Sequence, residues 1–151
     1  MRLFTQEKCK LWNNKMKTLP TKQELIDFEE DIANCFRNKQ IKAPIHLEYD
    51  NETQLIEIFK DIKEEDWVFC SWRSHLKNLL KGVPKERLKK DILEGRSISL
   101  WNKEYKIVSS AIVAANIPLG LGMAYDIKRK NLQNRAWVFL GEMTSATGMF
   151  A

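Results

Sequence analysis

The chain has 151 residues, of which 44% are apolar, 10% aromatic and 30% charged, a composition that excludes disordered, collagen-like and low-complexity chains. No apolar run reaches the roughly 20 residues a spanning helix needs, the N-terminus MRLFTQEKCK lacks a signal-peptide core, and three dispersed cysteines (Cys9, Cys35, Cys70) make neither a disulfide framework nor a zinc pair. The expectation is a cytoplasmic chain with reduced thiols and no membrane partner.

The formal charge of +5 is unevenly spread. Residues 1–66 carry 11 basic and 14 acidic side chains, and residues 67–151 carry 14 and 6. A basic second half fits an anionic ligand, an acidic partner or nucleic acid; a solvated lysine-rich surface fits it equally well.

In chain order, residues 1–17 read as a short amphipathic helix with Leu3, Phe4, Leu11 and Trp12 on one side. Thr21 followed by Glu24 predicts a capping box opening a second helix, in which Leu25, Phe28, Ile32, Cys35 and Phe36 form the buried face. Ala43-Pro44 ends that region, because the residue before proline avoids the α region. A helix over about 51–63 buries Leu55, Ile56, Ile58, Phe59 and Ile62, and Trp67-Val68-Phe69-Cys70 reads as a buried strand.

Ser74 to Lys81 reads as a helix closed by Gly82, and Val83-Pro84 starts another that runs to about Gly95. Residues 96–106 lack periodicity and are expected to form a loop. Ile107-Val108 and Ala111-Ile112-Val113 are β-branched and strand-like. A helix rich in small residues follows from Asn116 to Lys130. Ala136-Trp137-Val138-Phe139-Leu140 is then an apolar strand that stops at Gly141. This alternation predicts an α/β domain with a parallel sheet flanked by helices.

Two places carry candidate chemistry. An apolar strand ends at Gly141 with Glu142, Met143 and Thr144 behind it, and ligands of open α/β sheets bind beyond the carboxyl ends of strands. A carboxylate among backbone N–H groups there suits a hard cation bridging to phosphate, although a strand-to-helix turn with a solvated Glu142 would look the same. Ser71-Trp72-Arg73-Ser74-His75 follows another buried strand. Its arginine could grip a phosphate and His75 could act as acid or base, or Trp72 could be core and Arg73 paired with an acid. His46 is the other histidine, either catalytic or a satisfied core residue. Gly120 and Gly122 lie inside a helix and make no dinucleotide fingerprint. The aromatics sit in apolar runs, not between basic residues, which argues against nucleic acid.

The order of four blocks resembles the alpha subunit of thiamine-diphosphate-dependent 2-oxo acid dehydrogenases, in its N-terminal half. Ile45-His46-Leu47 through Glu52 resembles H-L-x-x-G-Q-E, with Asp50 at the glycine. Trp67 through Pro84 resembles V-F-x-x-Y-R-x-H…L-x-x-G-x-P. Ala111 through Gly120 resembles G-I-V-G-A-Q-x-P-L-A/G. Gly141-Glu142-Met143 through Phe150 resembles the G-D-G-x-x-x-x-G-x-F signature.

The resemblance implies a partial thiamine-diphosphate-binding fold over residues 41–151, preceded by a helical segment over 1–40. It implies thiamine diphosphate and Mg2+ as cofactors, with Trp72 and Arg73 on the diphosphate and the backbone at Ala111 and Val113 against the aminopyrimidine. Glu142 stands for the magnesium ligand. Gly141, Met143 and Thr144 lie along the phosphates, and His46 and His75 on the substrate side. The implied substrate is a small-molecule 2-oxo acid, and the implied partner a beta-type subunit or a missing C-terminal half. A non-catalytic member that serves as a binding partner is the alternative.

Three departures bear on that reading. Glu142 replaces aspartate, Met143 replaces a glycine, and Ser99 replaces the histidine of the G-G-S-M-H loop. The family's second magnesium ligand would fall beyond the nine residues that follow Glu142, so further polypeptide is expected to complete the site.

Overall fold

The computed structural model describes residues 19–150. The helix expected over 1–17 lies outside them. The first described helix, α1 (Lys22–Arg37), opens as its capping box requires. Thr21 Oγ1 accepts from the Glu24 N–H at 3.2 Å and Glu24 Oε2 accepts from the Thr21 N–H at 2.8 Å. Leu25, Phe28, Ile32 and Cys35 are buried along it, but Phe36, on the last turn, is half exposed. Helix α2 (Glu52–Lys60) is shorter than the expected 51–63; it buries Leu55 and Phe59 and leaves Ile58 open.

Strand β1 (Trp67–Cys70) leads into α3 (His75–Leu80), in which every residue is buried. It packs against α1, α2 and α4 (Lys85–Leu93). The expected loop over 96–106 holds a short edge strand, β2 (Trp101–Asn102), antiparallel to β3 (Ile107–Ser109). Two residues are too few to show an alternation, which is why the sequence reads as unstructured there. Ala111, Ile112 and Val113, expected to continue a strand, lie beyond the end of β3 and are exposed. Helix α5 (Asn116–Arg129) and strand β4 (Ala136–Val138) complete the order.

The sheet order is β2-β3-β1-β4, with β1 parallel to both β3 and β4. Register aligns Val68 with Ile107 and Trp137, and Phe69 with Val108 and Val138. Successive strand residues face opposite sides. Val68, Cys70 and Ile107 accordingly join one core with α1 to α4, and Trp137 and Phe139 pack against it. Phe69 and Val138 meet α5 at Gly120 on the other side. The result is an α/β fold with a mostly parallel sheet flanked by helices, as expected.

Asp66 ties β1 to β4 at their starts. It is 1% exposed, and its carboxylate accepts from the Arg135 N–H at 2.7 Å, the Trp137 indole at 3.0 Å and the Lys63 N–H at 3.1 Å. Burial pushes its pKa up, but these bonds and the nearby Lys81 charge outweigh burial and hold the carboxyl below the ordinary aspartate value.

Candidate functional site

From β1 the chain crosses through α3 and α4 to β3 on one side, then returns through α5 to β4 on the other. The carboxyl ends of these parallel strands share one edge of the sheet, and where the order reverses in this way a crevice opens. A cleft of about 600 Å³ lies there. Ser71 and Arg73 from the β1 exit, and Phe139, Leu140 and Gly141 from the β4 exit, line it. Leu47, Glu48 and Tyr49 close one side, and Asn51, Gln54, Leu55 and Ile58 come from the start of α2 and its face. The exposure of Ile58 is thereby explained: it borders the cleft.

Arg73 donates from Nε to the Leu47 carbonyl at 3.2 Å, and its guanidinium has no other partner among the described residues. Among the described residues it pairs with no acid, and its outer guanidinium nitrogens have no partner there. Trp72 is half-buried, with its ring 5.9 Å from that of His46. His46 is exposed and is therefore not a core histidine. Lys77 and Glu48 form a buried ion pair on the cleft wall, with Nζ–Oε distances of 2.5 and 2.7 Å. Burial leads the causes that raise the Tyr49 phenol, and the charge of Glu29 adds to it.

Gly141 opens a 3₁₀ turn over Glu142–Ala146. Glu142 and Met143 are exposed on it, while Thr144 is buried and its N–H donates to the Gly141 carbonyl at 3.0 Å. Among the described residues no group of three or more His, Cys, Asp or Glu could cage a metal. Glu142 fits a different arrangement, in which Mg2+ takes one or two carboxylates and fills its octahedron with phosphate oxygens and water. Arg73 and Gly141 line the cleft, and Glu142 follows Gly141 outside the lining.

Of the expected residues, Arg73 and Gly141 line the cleft; Trp72, His46, Glu142, Met143 and Thr144 do not, though Trp72, His46 and Glu142 each adjoin a lining residue in sequence. Ala111 and Val113 are exposed beyond β3 and do not line the cleft. His75 is fully buried: its Nδ1 is 3.1 Å from Glu29 Oε2, and its Nε2 is 2.8 Å from Ser97 Oγ. Cys70, at the end of β1, is also sealed, and burial pushes its thiol up to about 12, so it stays a neutral core side chain.

The open α/β sheet carries a cleft at its strand ends, with Arg73, Lys77 and Glu48 among its lining residues, at the kind of place where open α/β sheets bind ligands. Comparison with known proteins makes this specific. The chain belongs to the dehydrogenase E1 component family, whose model matches residues 21–151. It is similar to the pyruvate dehydrogenase E1 component subunit alpha of Rickettsia conorii, with 26% identity over 147 aligned positions. That alignment covers 83% of this chain but 45% of the relative, so the chain spans less than half the length of the protein it matches. The family expected from the four ordered blocks is the family found.

Proposed function

We propose that the chain is the diphosphate-binding part of a thiamine-diphosphate-dependent dehydrogenase that decarboxylates a 2-oxo acid. The observation that carries this reading is Arg73, anchored through Nε with its outer nitrogens free, beside Gly141 at the ends of β1 and β4. Arg73 would hold the diphosphate bidentately. Glu142 would share a Mg2+ with the phosphate oxygens, and the backbone of the 141–144 turn would lie along them. Trp72 would close over the diphosphate, with the exposed His46 beside it on the substrate side. The bound thiazolium supplies the electron sink for loss of carbon dioxide, and the protein supplies orientation and electrostatics. His75 would act from inside the core, keeping α3 registered on Glu29 and Ser97. Ala111 and Val113 would present backbone to the aminopyrimidine from the β3 exit.

Completion of the site by a beta-type subunit or by further polypeptide is part of the proposal. Its support is the number of large apolar side chains exposed before and along α5 and on the turn after β4: Ile112, Val113, Leu119, Leu121, Tyr125 and Met143. Exposed apolar surface of this kind marks interaction sites. Among the described residues no helix is long and apolar enough to cross a membrane, and the cytoplasm is the proposed compartment.

The test is calorimetric titration of thiamine diphosphate with Mg2+ into the chain, alone and with a beta-type subunit. Binding that appears or tightens with the partner is expected. Absence of binding under both conditions refutes the reading.

A further inference from the structure

The geometry points to Lys77 and Glu48 as a buried positioning pair that presets Arg73 for its anionic ligand. This inference rests on the diphosphate reading of the cleft.

Four residues form a closed circuit across two distant chain segments. Arg73 Nε donates to the Leu47 carbonyl at 3.2 Å, and Lys77 Nζ donates to the Arg73 carbonyl at 3.1 Å. The same ammonium reaches both oxygens of Glu48, the residue after Leu47, at 2.5 and 2.7 Å. Asn51, at the start of α2, adds a bond from Nδ2 to Glu48 Oε1 at 2.8 Å. Lys77 Nζ also lies 5.6 Å from the centre of the Phe139 ring, on the β4 exit. One ammonium therefore touches all three segments that border the diphosphate position.

Two consequences follow from charge and order. Lys77 and Glu48 neutralise each other, which leaves Arg73 as the uncompensated charge among the lining residues. With its Nε held, Arg73 also loses less freedom on binding an anion, because an immobilised long side chain is a cost of association. A lysine and a glutamate buried at 5% and 9% exposure are expensive to desolvate. A buried pair of this kind adds little net stability, so its place on the cleft wall fits a task there.

The experiment uses inorganic diphosphate with Mg2+ as the probe, titrated into the whole chain and into three variants, each with and without the beta-type subunit. Arg73→Gln removes the ligand contact itself and should weaken binding roughly 10- to 100-fold. The paired variant Glu48→Leu/Lys77→Leu leaves no buried charge unpaired and keeps Arg73; it should weaken binding about fivefold. Glu48→Gln, the gentler change, should weaken it about threefold and keeps the test decisive if the paired variant does not fold. A second readout is the Arg73 Nε–H signal in a 1H–15N spectrum, sharp and slow to exchange in the parent and averaged in both pair variants. A purely structural pair would change neither the affinity nor this signal.

If Arg73→Gln weakens binding while the pair variants bind like the parent with the signal intact, the positioning role is overturned and the cleft reading stands. If the parent takes no diphosphate with or without the beta-type subunit, or Arg73→Gln binds as well as the parent, the cleft reading fails and the positioning role fails with it.

Discussion

Gly120 and Gly122 sit two residues apart in α5, and alanine at each should act with opposite sign. A Cβ at Gly120 would lie 2.3 Å from Val138 Cγ2, and 3.7 Å from both Val138 Cβ and Phe69 Cδ2. Carbon atoms rest at about 3.5–4.0 Å, so more than an ångström of overlap must be relieved. Val138 is β-branched and on a strand, where its χ1 has little freedom, so the relief must come from α5 moving off the sheet. Overpacking of this severity costs about 2–3 kcal/mol, against about 1 kcal/mol of helix propensity gained from alanine. The net loss is about 1–2 kcal/mol, a fall in Tm of about 2–8 °C for a chain of this size. At Gly122 a Cβ would meet nothing within 4 Å, so only the propensity term acts and Tm should rise by about 2–4 °C. Thermal and urea melts at one fixed concentration read both effects. Adding Val138→Ala to Gly120→Ala removes the clashing methyl and should recover part of the loss, as positive coupling in a double-mutant cycle. Alanine shifting Tm in the same direction at both positions, or no coupling with Val138, would refute the close approach of α5 to β4.

Outcomes are expected for four further variants. Ala114→Gly should stabilise the chain by up to about 1 kcal/mol, because Ala114 holds φ +65°, a left-handed torsion that costs a β-carbon about 1–2 kcal/mol. Asp50→Gly, at φ +67°, should gain less, since aspartate tolerates that region; Met143→Gly, with no positive φ, should gain nothing in the same melts. Asp66→Asn should cost about 1–3 kcal/mol at neutral pH. The depressed Asp66 pKa contributes stability that is present above the ordinary aspartate value of about 3.9 and is lost as pH falls through the folded value, so urea midpoints of parent and variant should converge below about pH 4.

The parts of the fold legible in the sequence are those set by neighbours along the chain. Thr21 and Glu24 announce their helix because a capping box closes within one turn, and Trp67 to Cys70 reads as a strand because a short apolar run bounded by turn signals must be buried. Strand β2 escapes because its pairing partner, β3, defines it. Ala111 to Val113 misleads because β-branched side chains favour strands only where a sheet continues to receive them, and β3 ends at Ser109. Of the candidate site, Arg73 and Gly141 are legible because each stands at the exit of a strand already evident. Glu48 and Lys77 are not, since 29 positions separate them and each alone looks like an ordinary solvated charge.

The motif glycines this chain has replaced show which constraint each one answers. Asp50 and Ala114 occupy positions where the resembled blocks have glycine, and both keep a left-handed backbone, at φ +67° and +65°. The loops they sit in therefore hold glycine-like torsions against a side-chain penalty, which only surrounding contacts can impose. At Asp50 one such contact is its own N–H, which donates to the buried Glu52 carboxylate at 3.0 Å. At Ala114 the carbonyl accepts from the Ile117 N–H at 3.0 Å, which closes the turn into α5. Met143 differs: it lies in a 3₁₀ turn without positive φ, and its side chain is 77% exposed. Backbone torsion gives no reason for glycine there. What remains is room for something to approach the main chain, so under the proposed diphosphate reading Met143 would bear on the ligand, while Asp50 and Ala114 bear on the fold.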